Sequence, residues 1–131
     1  MNLDLTSVLE SGLLDQKSGK LRQAEEIYRS ILSQKPDHPD ALHLLGTIAY
    51  RAGKHPDALA LIRRAIAINP TNPNYFNNCG PPLRMLGRFE EAVECYRDCL
   101  RLDPHHPEAW YNLGKTFSDA GRPSEAVAAY N

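Results

Sequence analysis

Every glycine in this chain falls on one of two columns that repeat every 34 residues. Gly12, Gly46, Gly80 and Gly114 form one column; Gly19, Gly53, Gly87 and Gly121 form the other. Ala24, Ala58, Ala92 and Ala126 keep the same step, as do Pro36, Pro70 and Pro104, and also Pro39, Pro73 and Pro107. Five columns in register define an internal repeat, and a repeat of this period means stacked units that share one continuous core. The whole chain, 1–131, reads as a single array with units 5–38, 39–72, 73–106 and 107–131, the last one short.

Each column has a physical reading. Pro39, Pro73 and Pro107 suit the first position of a helix, where the missing N–H is not needed. The glycines at 19, 53, 87 and 121 come about fourteen residues later, where a helix needs a left-handed stop. A second amphipathic stretch follows each stop. In the third unit it is Phe89, Ala92, Val93, Tyr96, Cys99 and Leu100, spaced three and four apart. Pro36, Pro70 and Pro104 then end it. The glycines at 12, 46, 80 and 114 fall inside the first helix, where glycine costs ~1 kcal/mol against alanine. A cost repeated four times predicts close contact across the hairpin, with the alanines at 24, 58, 92 and 126 as partners. No stretch shows the period of two that a strand requires. The expected fold is all-α: antiparallel helix pairs stacked as a solenoid of about three and a half to four units.

Composition narrows the function classes. Fifteen basic residues against 16 acidic ones leave a net charge of -1, without the basic excess of a nucleic-acid binder. No apolar run nears the ~18 residues of a membrane span. The start, Met1-Asn2-Leu3-Asp4, lacks a secretory signal. Three cysteines are an odd number, which argues against a disulfide framework and favours a cytoplasmic setting. Chemistry is sparse too. The five histidines form no metal-ligand spacing, and His38 and His106 occupy equivalent places before Pro39 and Pro107. Cys95 and Cys99 are four apart on one helix, which reads as core packing, with a redox pair as the alternative. No phosphate loop or nucleophile elbow occurs. The reading is no catalysis, no metal and no cofactor in this chain.

The unit pattern resembles the tetratricopeptide repeat. Its motif of W-x2-L-G-x2-Y, then A-x3-F, then P is matched by Trp110, Leu113, Gly114, Phe117, Ala126 and Tyr130. The second unit follows it with Leu42, Leu45, Gly46, Ala49, Ala58, Ile62 and Pro70. The third does so with Phe76, Cys79, Gly80, Leu83, Ala92, Tyr96 and Pro104; the first, with Val8, Ser11, Gly12 and Asp15, matches least. The resemblance covers almost the whole chain. It implies a right-handed superhelix whose first helices line a concave groove for an extended peptide or protein partner. Carried over by position, the groove residues are His43, Thr47 and Tyr50 in unit two. They are Asn74, Asn77, Asn78 and Arg84 in unit three, and Glu108, Tyr111, Asn112 and Lys115 in unit four. Asn78 and Asn112 stand one repeat apart and resemble the asparagine ladder in the repeat arm of O-linked N-acetylglucosamine transferases. Glu10 and Leu44 hold that place in units one and two, so the ladder covers half the array. On this resemblance, the chain is a protein-interaction scaffold, or the recognition arm of a larger glycosyltransferase-like protein.

Two features break the pattern. Pro81 and Pro82 fall in the middle of a first helix, where each removes an N–H and costs ~3 kcal/mol; Gly80 before them tolerates the strain best. Either neighbours hold a kinked helix, or the helix opens as a hinge at Gly80, Pro81 and Pro82 and exchanges units with a second copy. At the other end, the second helix of unit four stops short with Val127 and Tyr130 uncapped. The chain therefore reads as an amino-terminal fragment of a longer protein, with that end as a second route to a homo-oligomer.

Overall fold

The computed structural model describes residues 4–130. Eight helices follow one another: α1 (Leu5–Lys17), α2 (Leu21–Gln34), α3 (Pro39–Arg51), α4 (His55–Ile68), α5 (Pro73–Met85), α6 (Phe89–Leu102), α7 (Pro107–Asp119) and α8 (Pro123–Tyr130). No strand occurs among the described residues. Each odd helix pairs with the even one after it, and each even helix packs on the next odd one. The molecule is a solenoid of helical hairpins, as the repeat predicts.

Local chemistry sets the helix ends. The residue before each odd helix caps it: Asp4, His38, Asn72 and His106 accept from a backbone N–H in the first turn. The two histidines cap through Nδ1, from Ala41 N–H and Ala109 N–H, both at 3.1 Å. Repeat punctuation at 38 and 106 is thus a hydrogen bond. At the far end, Gly87 takes φ of 74°, which a side chain would resist.

The inner glycines work differently, and here the expected partner was misplaced. A Cβ on Gly80 would lie 2.2 Å from Tyr96 Cζ, and one on Gly12 2.6 Å from Tyr28 Cε1. Gly46 faces Ile62 and Gly114 faces Tyr130 in the same way. The contact therefore belongs to the residue one turn beyond each column alanine. A ring or branched chain, not a methyl, fills the space the glycine leaves. The part of Ala58 nearest to a Cβ on Gly46 is its backbone oxygen, at 3.2 Å.

The core runs along the stack as three clusters joined by the partly buried Leu32, Leu61 and Ile66, with Leu42, Ala65 and Tyr75 in the middle one. Tyr28, Ile31, Ala41 and Leu45 pack at one end; Ile62, Leu83, Tyr96, Cys99 and Leu113 continue it toward α7 and α8. Helix α5 passes through Pro81 and Pro82 uninterrupted from Pro73 to Met85. Pro82 and Leu83 are buried in that core.

Candidate functional site

Helix α3 touches α5, and α5 touches α7. The odd helices form the inside of the curve, and the polar residues expected there meet one another. His43 on α3 is buried, and its Nε2 accepts from Asn78 Nδ2 on α5 at 2.8 Å. Its ring lies 4.7 Å from that of Tyr75, whose hydroxyl donates to Asp40. Burial pushes the His43 pKa down to about 4, against a smaller upward pull from Asp40. The ring is neutral, as an acceptor Nε2 requires.

The next joint repeats the logic with different groups. Asn77 is buried; its amide donates to Glu108 Oε2 at 3.2 Å and its Oδ1 accepts from Asn112 Nδ2 at 3.2 Å. His106, with Nδ1 committed to the cap, carries its proton on Nε2 and donates to Asn74 Oδ1 at 3.0 Å. Arg84 and Asp119 pair at 2.9 Å. At the first joint Gln16 Nε2 donates to Thr47 Oγ1 at 3.0 Å, and Thr47 donates on to Leu44 O at 2.7 Å.

Eight of the eleven positions expected to face a guest thus take part in hydrogen bonds or ion pairs between neighbouring hairpins. These are His43, Thr47, Asn74, Asn77, Asn78, Arg84, Glu108 and Asn112. Three stand apart from this seam. Tyr50 is half-buried against His55, at 5.3 Å between rings. Tyr111 is exposed near Tyr130, and Lys115 is exposed. Sequence reasoning missed Gln16, Asp40, Tyr75 and Asp119 as seam residues. A signal was present. Most seam partners are 35 or 31 residues apart, that is, one repeat plus one or minus three. The two offsets differ by one helical turn, so a residue on one inner helix sits between two residues of the next.

What remains open to a guest is specific. Asn78 and Asn112 each commit one N–H to the preceding hairpin. An amide has a second N–H and a carbonyl oxygen. Both side chains are half-buried; Asn78 Oδ1 also accepts from Asn77 Nδ2 at 3.5 Å, so each amide is fixed by its neighbours and keeps part of its hydrogen-bonding capacity uncommitted. Among the described residues no cluster of His, Cys, Asp or Glu could hold a metal, and no helix is long and apolar enough to cross a membrane.

The comparisons agree on one architecture. Residues 9–73 match the family described as Tetratricopeptide repeat, and residues 83–121 match a second described as TPR repeat. A solved O-GlcNAc transferase mutant from Thermobaculum terrenum is 28% identical over 89% of this chain, with a TM-score of 0.85. This chain covers 23% of that one, so it spans less than a quarter of the enzyme's length. A MamA structure designated AMB-1 is 26% identical over 98% of this chain and 70% of its own, with a TM-score of 0.76. MamA from Desulfovibrio magneticus RS-1 is 17% identical over 97% of this chain and 72% of its own, with a TM-score of 0.86, a likeness of fold alone. No curated protein matches the chain. The two family matches, taken with 34-residue hairpins that stack into a solenoid, establish that the chain belongs to the tetratricopeptide repeat family, a fold of protein-interaction scaffolds.

Proposed function

We propose that the chain is a non-catalytic scaffold whose inner wall holds an extended segment of a protein partner. The observation that carries this is the pair Asn78 and Asn112. They stand one repeat apart, each oriented by a hydrogen bond to the hairpin before it. An amide held this way can accept from a guest backbone N–H and donate to its carbonyl, without regard to the guest's side chains. Orientation in advance lowers the entropy cost of binding. Tyr111 and Lys115, free of the seam and exposed, add an apolar face and a charge beside the pair. Tyr50 stands at the same groove two joints earlier. The three free thiols support a cytoplasmic setting.

The test is a selection from a displayed random-peptide library on the full chain, followed by titration of the selected peptide. The Asn78→Ala, Asn112→Ala double variant is expected to lose at least tenfold in affinity with its helical content intact. Equal affinity for both proteins would overturn the assignment of the pair.

A second reading is favoured by the 28% identity to the transferase. In it the same wall is the substrate-recognition arm of a glycosyltransferase-like enzyme whose chemistry lies in another domain. Sequence adjoining this array in the gene decides between the two. A third element is self-association, through the Gly80, Pro81 and Pro82 hinge or through the outer face of α8. On α8, Val127 and Tyr130 are 58% and 51% exposed where their counterparts Val93 and Tyr96 are 1% and 0%. Light scattering across a dilution series tests it; one mass, that of the monomer, at every concentration excludes it.

A further inference from the structure

The third hairpin differs from the others at one facing pair. Cys79 on α5 and Cys95 on α6 lie on the two packed helices of the third hairpin and meet in one core cluster. In the 34-residue register the same two places hold Ser11 and Ile27, then Leu45 and Leu61, and in the last hairpin Leu113 and Ala129. Leu61 packs against the cluster that contains Leu45, and Cys95 against the cluster that contains Cys79. Only the third hairpin has a thiol on both sides. Cys79 is buried and Cys95 forms the half-buried edge of the pair.

The surroundings divide the two sulfurs into different roles. The neighbouring Cys95 thiol holds Cys79 below the ordinary thiol range against burial, helped by the positive charge of Arg63 on α4. The same closeness to Cys79, with burial added, pushes Cys95 up. Cys79 is the better nucleophile and Cys95 the proton-bearing partner. Cys99 is a poor third. It is four residues from Cys95 on one helix, where Cβ atoms lie about 5–6 Å apart, beyond the Cβ separation of a disulfide. Burial, with Asp103 nearby, pushes its pKa up to about 11.

We propose that Cys79 and Cys95 are a redox modification site, closing to a reversible disulfide that fastens α5 to α6. The oxidant is hydrogen peroxide. The Cys79 thiolate attacks one peroxide oxygen, the O–O bond breaks, and hydroxide leaves; Cys79 becomes a sulfenic acid. Cys95 no longer faces a thiolate and gives up its proton to that hydroxide, forming water. Its sulfur displaces the hydroxyl of Cys79, which takes a proton from solvent and departs as a second water. Two thiols lose two electrons and one peroxide gains them. A thiol returns the pair to its reduced state by exchange. The bond closes a short loop around the hairpin whose first helix carries Pro81 and Pro82.

Trypsin places the three cysteines on separate peptides, 65–84, 89–97 and 98–101, which makes the test direct. The folded full chain is treated with hydrogen peroxide, alkylated with iodoacetamide, digested and mapped by mass spectrometry. The expected result is peptide 65–84 linked to 89–97, with Cys99 alkylated and the link lost after dithiothreitol. Three alkylated thiols, a link through Cys99, or a link that forms only in urea would each overturn the proposal. As a second measurement, the melting midpoint of the oxidised protein rises by about 10 °C over the reduced one. Cys99→Ala keeps that rise and Cys95→Ser abolishes it; a rise that survives Cys95→Ser would count against the pair.

Discussion

In the hairpin α3–α4 the residues after Gly46 are Thr47 and Ile48, each with an amide N–H for its helix. In α5–α6 the same two places are Pro81 and Pro82, so the carbonyls of Asn77 and Asn78 lose their helical donors. Both first helices nevertheless run thirteen residues. The difference lies in what surrounds them. Helix α5 is tied to α3 by Asn78 and Tyr75, and to α7 by Asn74, Asn77 and Arg84. The helix with the weakest internal ladder has the densest bonding to its neighbours. In a stack, stability is a sum of what a unit contributes alone and what its interfaces contribute. The two hairpins reach the same backbone by different divisions of that sum.

Substitution at the inner glycines breaks this comparison most sharply. Gly80→Ala places a methyl 2.2 Å from the Cζ atom of Tyr96, a ring fully buried with no room to retreat. Overpacking costs about 3 kcal/mol here, beyond the ~1 kcal/mol that alanine returns in helix propensity. Gly46→Ala meets Ile62 Cγ1 at 2.6 Å, one atom of a chain smaller than the Tyr96 ring, and costs about 1 kcal/mol. Urea denaturation of both variants reads the difference, and equal losses would mean the ring resists the methyl no more than the smaller chain does.

Acid separates the two joints next. The folded pKa of His43 is about 4, below the ordinary 6.5, because burial penalises the charged ring. The unfolded chain therefore binds a proton that the folded chain refuses between those two values. Stability from this group is full above pH 6.5 and falls as pH drops toward 4, by about 3 kcal/mol in all. The equivalent place in the third hairpin is Asn77, which cannot titrate. Stability measured against pH should show this slope in the parent and lose it in His43→Gln. A slope that persists in the variant would assign it elsewhere.

Asn77→Ala tests the other joint. It removes the bonds to Glu108 and Asn112 together and costs about 2 kcal/mol. Tyr111→Ala, one repeat on and 58% exposed, costs about 0.5 kcal/mol or less. Thermal melts of the two variants should rank them in that order.

Much of this was legible in advance, for physical reasons. Helix ends are local: a proline at the first position, as at Pro39 or Pro73, and a glycine stop at Gly87 can be read in one dimension, whereas the caps at His38 and Asn72 appear only in the structure. Contacts within a hairpin were legible only to within a turn. The glycine column predicted a close approach but not whether Ala92 or Tyr96 supplies it, because that depends on the depth at which two helices interlock. The groove was least legible. Asn77 and Asn78 are adjacent polar residues in sequence, yet one is buried and the other half-exposed. Only the rotation of α5 against α3 and α7 separates them. The 35- and 31-residue offsets encode that rotation, and pairs such as Asp40 with Tyr75 or Arg84 with Asp119 carried it in plain view.

The one expected gain concerns the prolines themselves, and its sign depends on burial. Pro81 is half-buried and Pro82 fully buried. Pro81→Ala restores an N–H to Asn77 O and improves helix propensity, while the unfolded chain gains freedom worth about 0.4–1 kcal/mol. The net expectation is a gain of about 1 kcal/mol. Pro82→Ala restores the bond to Asn78 O but empties part of a packed site, and the cavity offsets the bond. Its expected effect is near zero or a small loss. If both prolines were merely tolerated defects, both substitutions would stabilise alike. A gain confined to position 81 would instead show that the ring of Pro82 has become part of the core, so that the third hairpin has replaced a hydrogen bond with packing. Differential scanning calorimetry of the two single variants resolves these outcomes.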